Sequence, residues 1–112
     1  MNRVTSSLRH LGQSLWLDNI TRGMLDDGTL ARYIRDFNVT GLTSNPSIYN
    51  AAVKSTSFYD AAITTKVKKG LSGEQLFFEL AIEDLTRAAD LFRPVFDRTG
   101  GLDGWVSLEV SP

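Results

Sequence analysis

The sequence predicts an α/β fold built on a parallel sheet with helices packed against it. Three observations predict it: three short runs of strand-forming residues, helical periodicity between them, and alternation of apolar and polar side chains within each run. Strands separated by helical crossovers run parallel to one another. At this level a doubly wound sheet and a (βα)8 barrel both stay open. Neither is complete in 112 residues, since a barrel needs roughly 250.

The first expected strand is Ser14-Leu15-Trp16-Leu17-Asp18, after Gly12 and before the turn-prone Asn19. Next comes a short helix carrying Leu30, Ile34 and Phe37 on one face, with Thr29 as its cap. The second strand is Val39-Thr40-Gly41-Leu42-Thr43, running into Ser44-Asn45-Pro46. Pro46 suits a first helical position, and a helical stretch is expected from there to Lys66-Val67-Lys68-Lys69, with Gly70 as its stop. Ser72 and Gln75 then spell a capping box for a long helix. Its apolar positions are Phe78, Ile82, Leu85, Ala89 and Phe92, Glu83 and Arg87 pair on its exposed side, and Pro94 ends it. The third strand, Trp105 to Val110, is entered through Gly100-Gly101-Leu102-Asp103-Gly104 and closed by Pro112.

Parity within the strands divides their faces. Val106, Leu108 and Val110 share one face of the third strand, while Trp105, Ser107 and Glu109 share the other. Leu15 and Leu17 oppose Trp16 and Asp18, and Leu42 opposes Gly41, Thr43 and Asn45. Each strand thus has one face for helices and another that finishes in a polar group: Asp18, Asn45 or Glu109. Both barrels and open α/β sheets place their chemistry beyond strand C-termini, which makes these three the candidate site. Taken singly, Asp18 reads as a strand terminator and Asn45 equally well as a helix cap. Glu109 is different, because a carboxylate between Leu108 and Val110 is costly if buried without a partner. His10 reads as a surface residue near a loose terminus, and Trp16 and Trp105 as filling for a barrel interior. Lys66, Lys68 and Lys69 read as a solvated cluster at a helix end, and Lys54 as part of a helical stretch.

Composition excludes several functions. A net charge of -1, with 42% hydrophobic and 22% charged residues, is an ordinary globular profile without the electrostatic footprint of a nucleic-acid or membrane-surface binder. There are no cysteines, which excludes disulfides and thiolate metal sites and fits a cytoplasmic location. MNRVTSSLRHLGQ has no apolar run of signal-peptide length, and no stretch approaches bilayer-spanning length.

LWLDNITRG, TGLTSNPSIYN and SGEQLFFELAIEDLTRAADLFRPVFDRTGGLDGWVSLEVSP together resemble the transaldolase family, in its actinobacterial-type branch. The resemblance covers nearly the whole chain beyond the first dozen residues. It implies that residues 1–112 form the N-terminal part, about three strands, of a single TIM (βα)8-barrel domain. It also implies a reaction. A lysine forms a Schiff base with a ketose phosphate, and a dihydroxyacetone unit passes from sedoheptulose 7-phosphate to glyceraldehyde 3-phosphate in the non-oxidative pentose phosphate pathway, with no metal and no cofactor. Under this resemblance Asp18 is the acid/base at the C4 hydroxyl. Asn45, helped by Thr43, holds the dihydroxyacetone hydroxyls, and Glu109 relays a proton through water as the carbinolamine dehydrates.

The family's Schiff-base lysine belongs on the strand after Glu109, and no lysine of this sequence occupies an expected strand. The expectation is therefore a parent transaldolase with sugar-phosphate substrates, and a 112-residue chain that is inactive alone and self-associates or binds the rest of its barrel. A sugar-phosphate aldolase of the same superfamily and a noncatalytic assembly module are the alternatives. The helix-rich insertion between the second and third strands favours transaldolase. The absence of a covering helix after the third strand argues against a finished module.

Overall fold

The computed structural model describes residues 3–45, 50, 51, 53, 54 and 56–109. In chain order it contains α1 (Arg3–His10), β1 (Leu15–Leu17), α2 (Arg22–Asp26), α3 (Thr29–Phe37), β2 (Val39–Thr43), α4 (Asp60–Lys68), α5 (Gly73–Arg98) and β3 (Trp105–Ser107). The strands form one sheet in the order β1-β2-β3, and both pairings are parallel. The α/β architecture with helical crossovers is as expected.

β2 has the expected bounds. Asn38, in the left-handed region at φ 56, ends α3 and turns the chain into a strand whose β-branched residues suit a pleated, covered surface. β1 and β3 are shorter than expected, at three residues each, so Asp18 and Glu109 lie just past the strands. Val110, expected in the third strand, and Pro46, expected to start a helix, lie outside the described residues. The pairing shifts between Leu15↔Val39 and Trp16↔Gly41, leaving Thr40 as an extra residue on β2. Beyond that bulge, Trp16, Gly41 and Trp105 stand in one row across the sheet, and Leu17, Leu42 and Val106 in the next.

Those two rows face opposite sides. Leu42 is fully buried, and Leu17 and Val106 pack with it against the core formed by Ile20, Leu30, Leu80, Phe92 and their neighbours. The other row is open, with Trp16 44% and Trp105 52% exposed. Trp16 packs over Gly41 of β2, where an added Cβ would overlap its indole ring. Only glycine permits this approach. The Trp105 ring meets Phe96 of α5 edge-on at 5.5 Å, and its Nε1 donates to the Gly101 carbonyl.

The helices depart from the expectations in instructive ways. Thr29 is the first helical residue of α3 rather than its cap; its N–H and Oγ1 both donate to Asp27 Oδ1, at 2.9 and 2.5 Å. No side-chain cap forms at Ser72, so the Ser72–Gln75 capping box is absent. The next residue, Gly73, sits at φ 58, where the first turn lacks the α geometry that the box requires. Pro94 does not end α5, which continues to Arg98. Its missing N–H would have bonded Asp90, and both residues are exposed, so water can satisfy the freed carbonyl. Phe92 and Val95, both buried, hold the helix on the core on either side of the proline.

The buried face of α5 is Leu80, Ala81, Asp84, Ala88, Phe92 and Val95, whereas Ile82 and Ala89 of the expected face point to solvent. Glu83 and Arg87 do not pair with each other: Glu83 takes Lys66 at 2.5 Å, and Arg87 takes Asp26 at 2.8 Å. Lys66 is accordingly no solvated lysine; its side chain is 16% exposed and bridges α4 to α5. The helical stretch expected between residues 46 and 69 is broken at Thr56–Tyr59, ahead of α4.

The segment around His10 is not loose. α1 is tied beneath the sheet by Arg9, whose Nη1 donates to Asp103 Oδ2 at 2.8 Å, while Ser14 Oγ donates to Asp103 Oδ1 at 2.7 Å. Burial by itself would raise the Asp103 carboxyl. The hydrogen bonds from Ser14 and Arg9, with the charge of Arg9, outweigh it and hold the group below the usual range. A cleft of about 900 Å³ opens here between α1, α3 and α5, lined by residues that include Arg9, Ile34, Leu91, Arg98 and Asp103.

Candidate active site

Because the strands are parallel and adjacent, their C-terminal ends form one rim. Asp18 follows β1 by one residue, and Asn45 and Glu109 follow β2 and β3 by two. The rim lies at the end of the sheet opposite the Asp103 cleft, which opens where β3 begins. Thr43, the last residue of β2, pairs with Ser107 across the ladder, and its Oγ1 donates to Glu109 Oε1 at 3.4 Å. Thr43 and Glu109 therefore meet directly. Asp18 and Asn45 flank them at the same strand ends, with Asn45 half-buried and Asp18 in solvent.

The burial expected for Glu109 is not found. It is exposed and lies past β3, so solvation rather than a buried partner offsets its charge. Its backbone is held more firmly than its carboxylate. Ser44 N–H and Oγ donate to the Ser107 carbonyl at 3.1 and 3.2 Å, and the Glu109 N–H donates to Ser44 Oγ at 3.4 Å. Ser44 thus continues the β2–β3 ladder after the strands end. Sequence reasoning overlooked it, although its parity with Leu42 signals a small polar residue turned toward the helices. Asn19, read only as a turn residue, has an Oδ1 that is enclosed and accepts no hydrogen bond among the described residues.

Behind the β1 end of the rim lies a buried polar cluster. Arg22 Nε donates to Asp84 Oδ1 at 2.8 Å, and the Tyr59 hydroxyl donates to Asp84 Oδ2 at 2.6 Å. The backbone N–H of Arg22 donates to the Tyr59 hydroxyl at 2.8 Å, and the Arg22 guanidinium stacks 4.7 Å from the Tyr59 ring centre. Asp84 and Tyr59 are fully buried and Arg22 nearly so. The sequence carries one usable signal for this cluster: Asp84 sits four residues before Ala88 on what proves to be the buried stripe.

No group of histidine, cysteine and carboxylate side chains suited to a metal ion occurs among the described residues. No described helix is long and apolar enough to cross a membrane. No lysine lies in β1, β2 or β3.

Helical crossovers between parallel strands, with polar side chains gathered where the strands end, define the class: an α/β protein whose candidate chemistry sits at the C-terminal rim of its sheet. Within that class the chain belongs to the transaldolase/fructose-6-phosphate aldolase family, which residues 15–112 match. It is 45% identical over its whole length to a transaldolase of Arthrobacter sp. (strain FB24), covering 30% of that protein. It is also 42% identical over 97% of its length to a transaldolase of Thiobacillus denitrificans, of which it covers 30%. A transaldolase of Trichodesmium erythraeum is 38% identical over 94% of the chain, which spans 28% of that relative. The chain therefore spans under a third of the length of these relatives.

Proposed function

We propose that this chain supplies the first three strands, and part of the active site, of a TIM-barrel transaldolase. The observation that carries the reading is the shared rim of Asp18, Thr43, Asn45 and Glu109 in a chain of the transaldolase/fructose-6-phosphate aldolase family. The substrates are sugar phosphates, sedoheptulose 7-phosphate as donor and glyceraldehyde 3-phosphate as acceptor, in the non-oxidative pentose phosphate pathway of the cytoplasm.

The chemistry follows from the imine. A lysine elsewhere in the barrel condenses with the ketose carbonyl, and Glu109 relays the proton that lets the carbinolamine lose water. The bond between C3 and C4 of the donor then breaks. Its electrons move into the protonated imine, and the C4 hydroxyl proton passes to Asp18, so the aldose leaves without a free carbanion. Asn45 and Thr43 hold the hydroxyls of the retained three-carbon unit until the acceptor aldehyde takes it and Asp18 returns the proton. The 112 residues contain no strand lysine, so the isolated chain is inactive in this reading. Its open Trp16–Gly41–Trp105 face is the surface that associates with the remaining strands or with itself.

Simple aldol cleavage of fructose 6-phosphate is the second reading, favoured by the breadth of the matched family. The full-length protein, given fructose 6-phosphate with and without an added acceptor aldehyde, separates the two. Turnover that requires the acceptor supports transfer, and acceptor-independent release of glyceraldehyde 3-phosphate supports cleavage. Failure of borohydride to trap any lysine adduct contradicts both and leaves the assembly module.

A further inference from the structure

We infer that the buried Arg22–Tyr59–Asp84 cluster is the device that positions Asp18 at the rim. The inference rests on the proposed role of Asp18, but the geometry that supports it is independent of that role. Three residues, Asn19, Ile20 and Thr21, join Asp18 to the cluster. Ile20 is seated in the core at 1% exposure, and Thr21 Oγ1 caps α2 by accepting from the Met24 N–H at 3.2 Å. Arg22 opens α2 and is bound at both ends: its backbone N–H by the Tyr59 hydroxyl, its side chain by Asp84 and, at 3.4 Å, by the Leu80 carbonyl. The first residue of α2 is thereby fixed in place and in orientation against α5 and against the residue that precedes α4.

The energetics argue against a purely stabilising purpose. A buried ion pair loses so much solvation that apolar residues of the same volume often serve stability as well or better. What such a cluster supplies is a unique geometry, because Arg22 and the Tyr59 hydroxyl both converge on the Asp84 carboxylate and a shifted register would strand a charge in the core. Asp18 protrudes into solvent from a strand of three residues. Its position is therefore inherited from what anchors the chain on each side of it, with β1 on one side and Arg22 on the other. Tyr59, Arg22 and Asp84 are in this sense positioning residues.

The test is Tyr59→Phe in the full-length protein. It keeps the ring under Arg22 and removes the hydroxyl that joins Arg22 N–H to Asp84. Amide exchange at residues 18–22 should accelerate ~10-fold, with α3 unchanged, as expected for losing one buried hydrogen bond that closes a local unit. In the same variant kcat should fall ~10-fold with KM within about twofold, the signature of a misplaced acid/base rather than lost binding. Ile34→Ala on α3, which lowers stability without touching the cluster, should change neither reading. Arg22→Lys keeps the charge but loses the Nε contact, and it should reproduce the Tyr59→Phe pattern should that variant fold poorly. Unchanged exchange at 18–22, or an equal kcat loss in Ile34→Ala, overturns the inference. So does accelerated exchange with full turnover. A full-length protein without transaldolase activity removes the proposed function instead, and exchange still decides whether the cluster fixes this segment.

Discussion

β3 has a carboxylate at each end, and the two are held in opposite ways. Asp103, two residues before the strand, is buried at 4% exposure and takes both Arg9 and Ser14 at 2.8 and 2.7 Å. Glu109, two residues after it, is exposed, and its carboxylate is met by Thr43 at 3.4 Å. One end has its charge fully engaged; the other leaves a carboxylate available. In strand-and-helix architectures the N-terminal end serves stability and the C-terminal end serves chemistry, and the two residues show what that division means atom by atom.

Substitutions at the two ends should therefore separate stability from turnover. The largest effect belongs to the open end: Asp18→Ala in the full-length protein should reduce turnover ~10²-fold or more, the usual worth of a positioned acid/base. Borohydride should still trap the lysine adduct, and stability should move by less than about 0.5 kcal/mol, as for other exposed sites. Near-normal turnover would erase the contrast from that side. At the closed end, Asp103→Ala should cost ~2 kcal/mol of unfolding free energy, because Arg9 and Ser14 lose a charged acceptor. Turnover per folded molecule should be unchanged. Chemical denaturation of the variant, with specific activity measured in parallel, checks both halves.

The same carboxylate gives a pH dependence of known sign. The folded-state pKa of Asp103 lies below its unfolded value, so its contribution is fully present above about pH 4 and is lost as pH falls through the folded pKa. The acid limb of a stability-against-pH curve should be shallower in Asp103→Asn than in the parent. A smaller effect is expected in the sheet itself. Gly41→Ala forces the Trp16 indole aside, and because that ring is half exposed it can move, at a cost of ~1 kcal/mol. Tryptophan fluorescence should shift with it. The smallest effect is at Arg93–Asp97, an exposed pair one turn apart on α5, where Arg93→Ala should stay within about 0.5 kcal/mol.

The open end was far more legible in the sequence than the closed end and the core behind it. Strand-end position placed Asp18, Asn45 and Glu109 at one rim, because adjacent parallel strands bring their C-terminal ends together. Val39–Thr43 emerged with its bounds intact, since Asn38 and Asn45 punctuate it on either side. Arg9, Arg22, Asp84 and Asp103 escaped because a charged residue reads as solvated until its partner is known. Here the partners lie 62 positions apart for Arg22 and Asp84 and 94 for Arg9 and Asp103. Pro94 misled for a related reason: whether a lost N–H breaks a helix depends on whether water reaches the carbonyl opposite, which is a property of the fold. The Ser72 box failed on a single backbone angle at Gly73.

The division between the two ends of β3 is tested most directly by one paired measurement. Glu109→Gln and Asp103→Asn, made in the full-length protein, each neutralise one carboxylate at nearly constant shape. Thermal midpoint and borohydride-trapped adduct under single-turnover conditions are then read for both. The expected result is crossed. Glu109→Gln keeps its midpoint and slows adduct formation, while Asp103→Asn lowers its midpoint and forms adduct at the parental rate. A lowered midpoint in Glu109→Gln with normal adduct formation, or slowed adduct formation in a fully folded Asp103→Asn, would contradict the account.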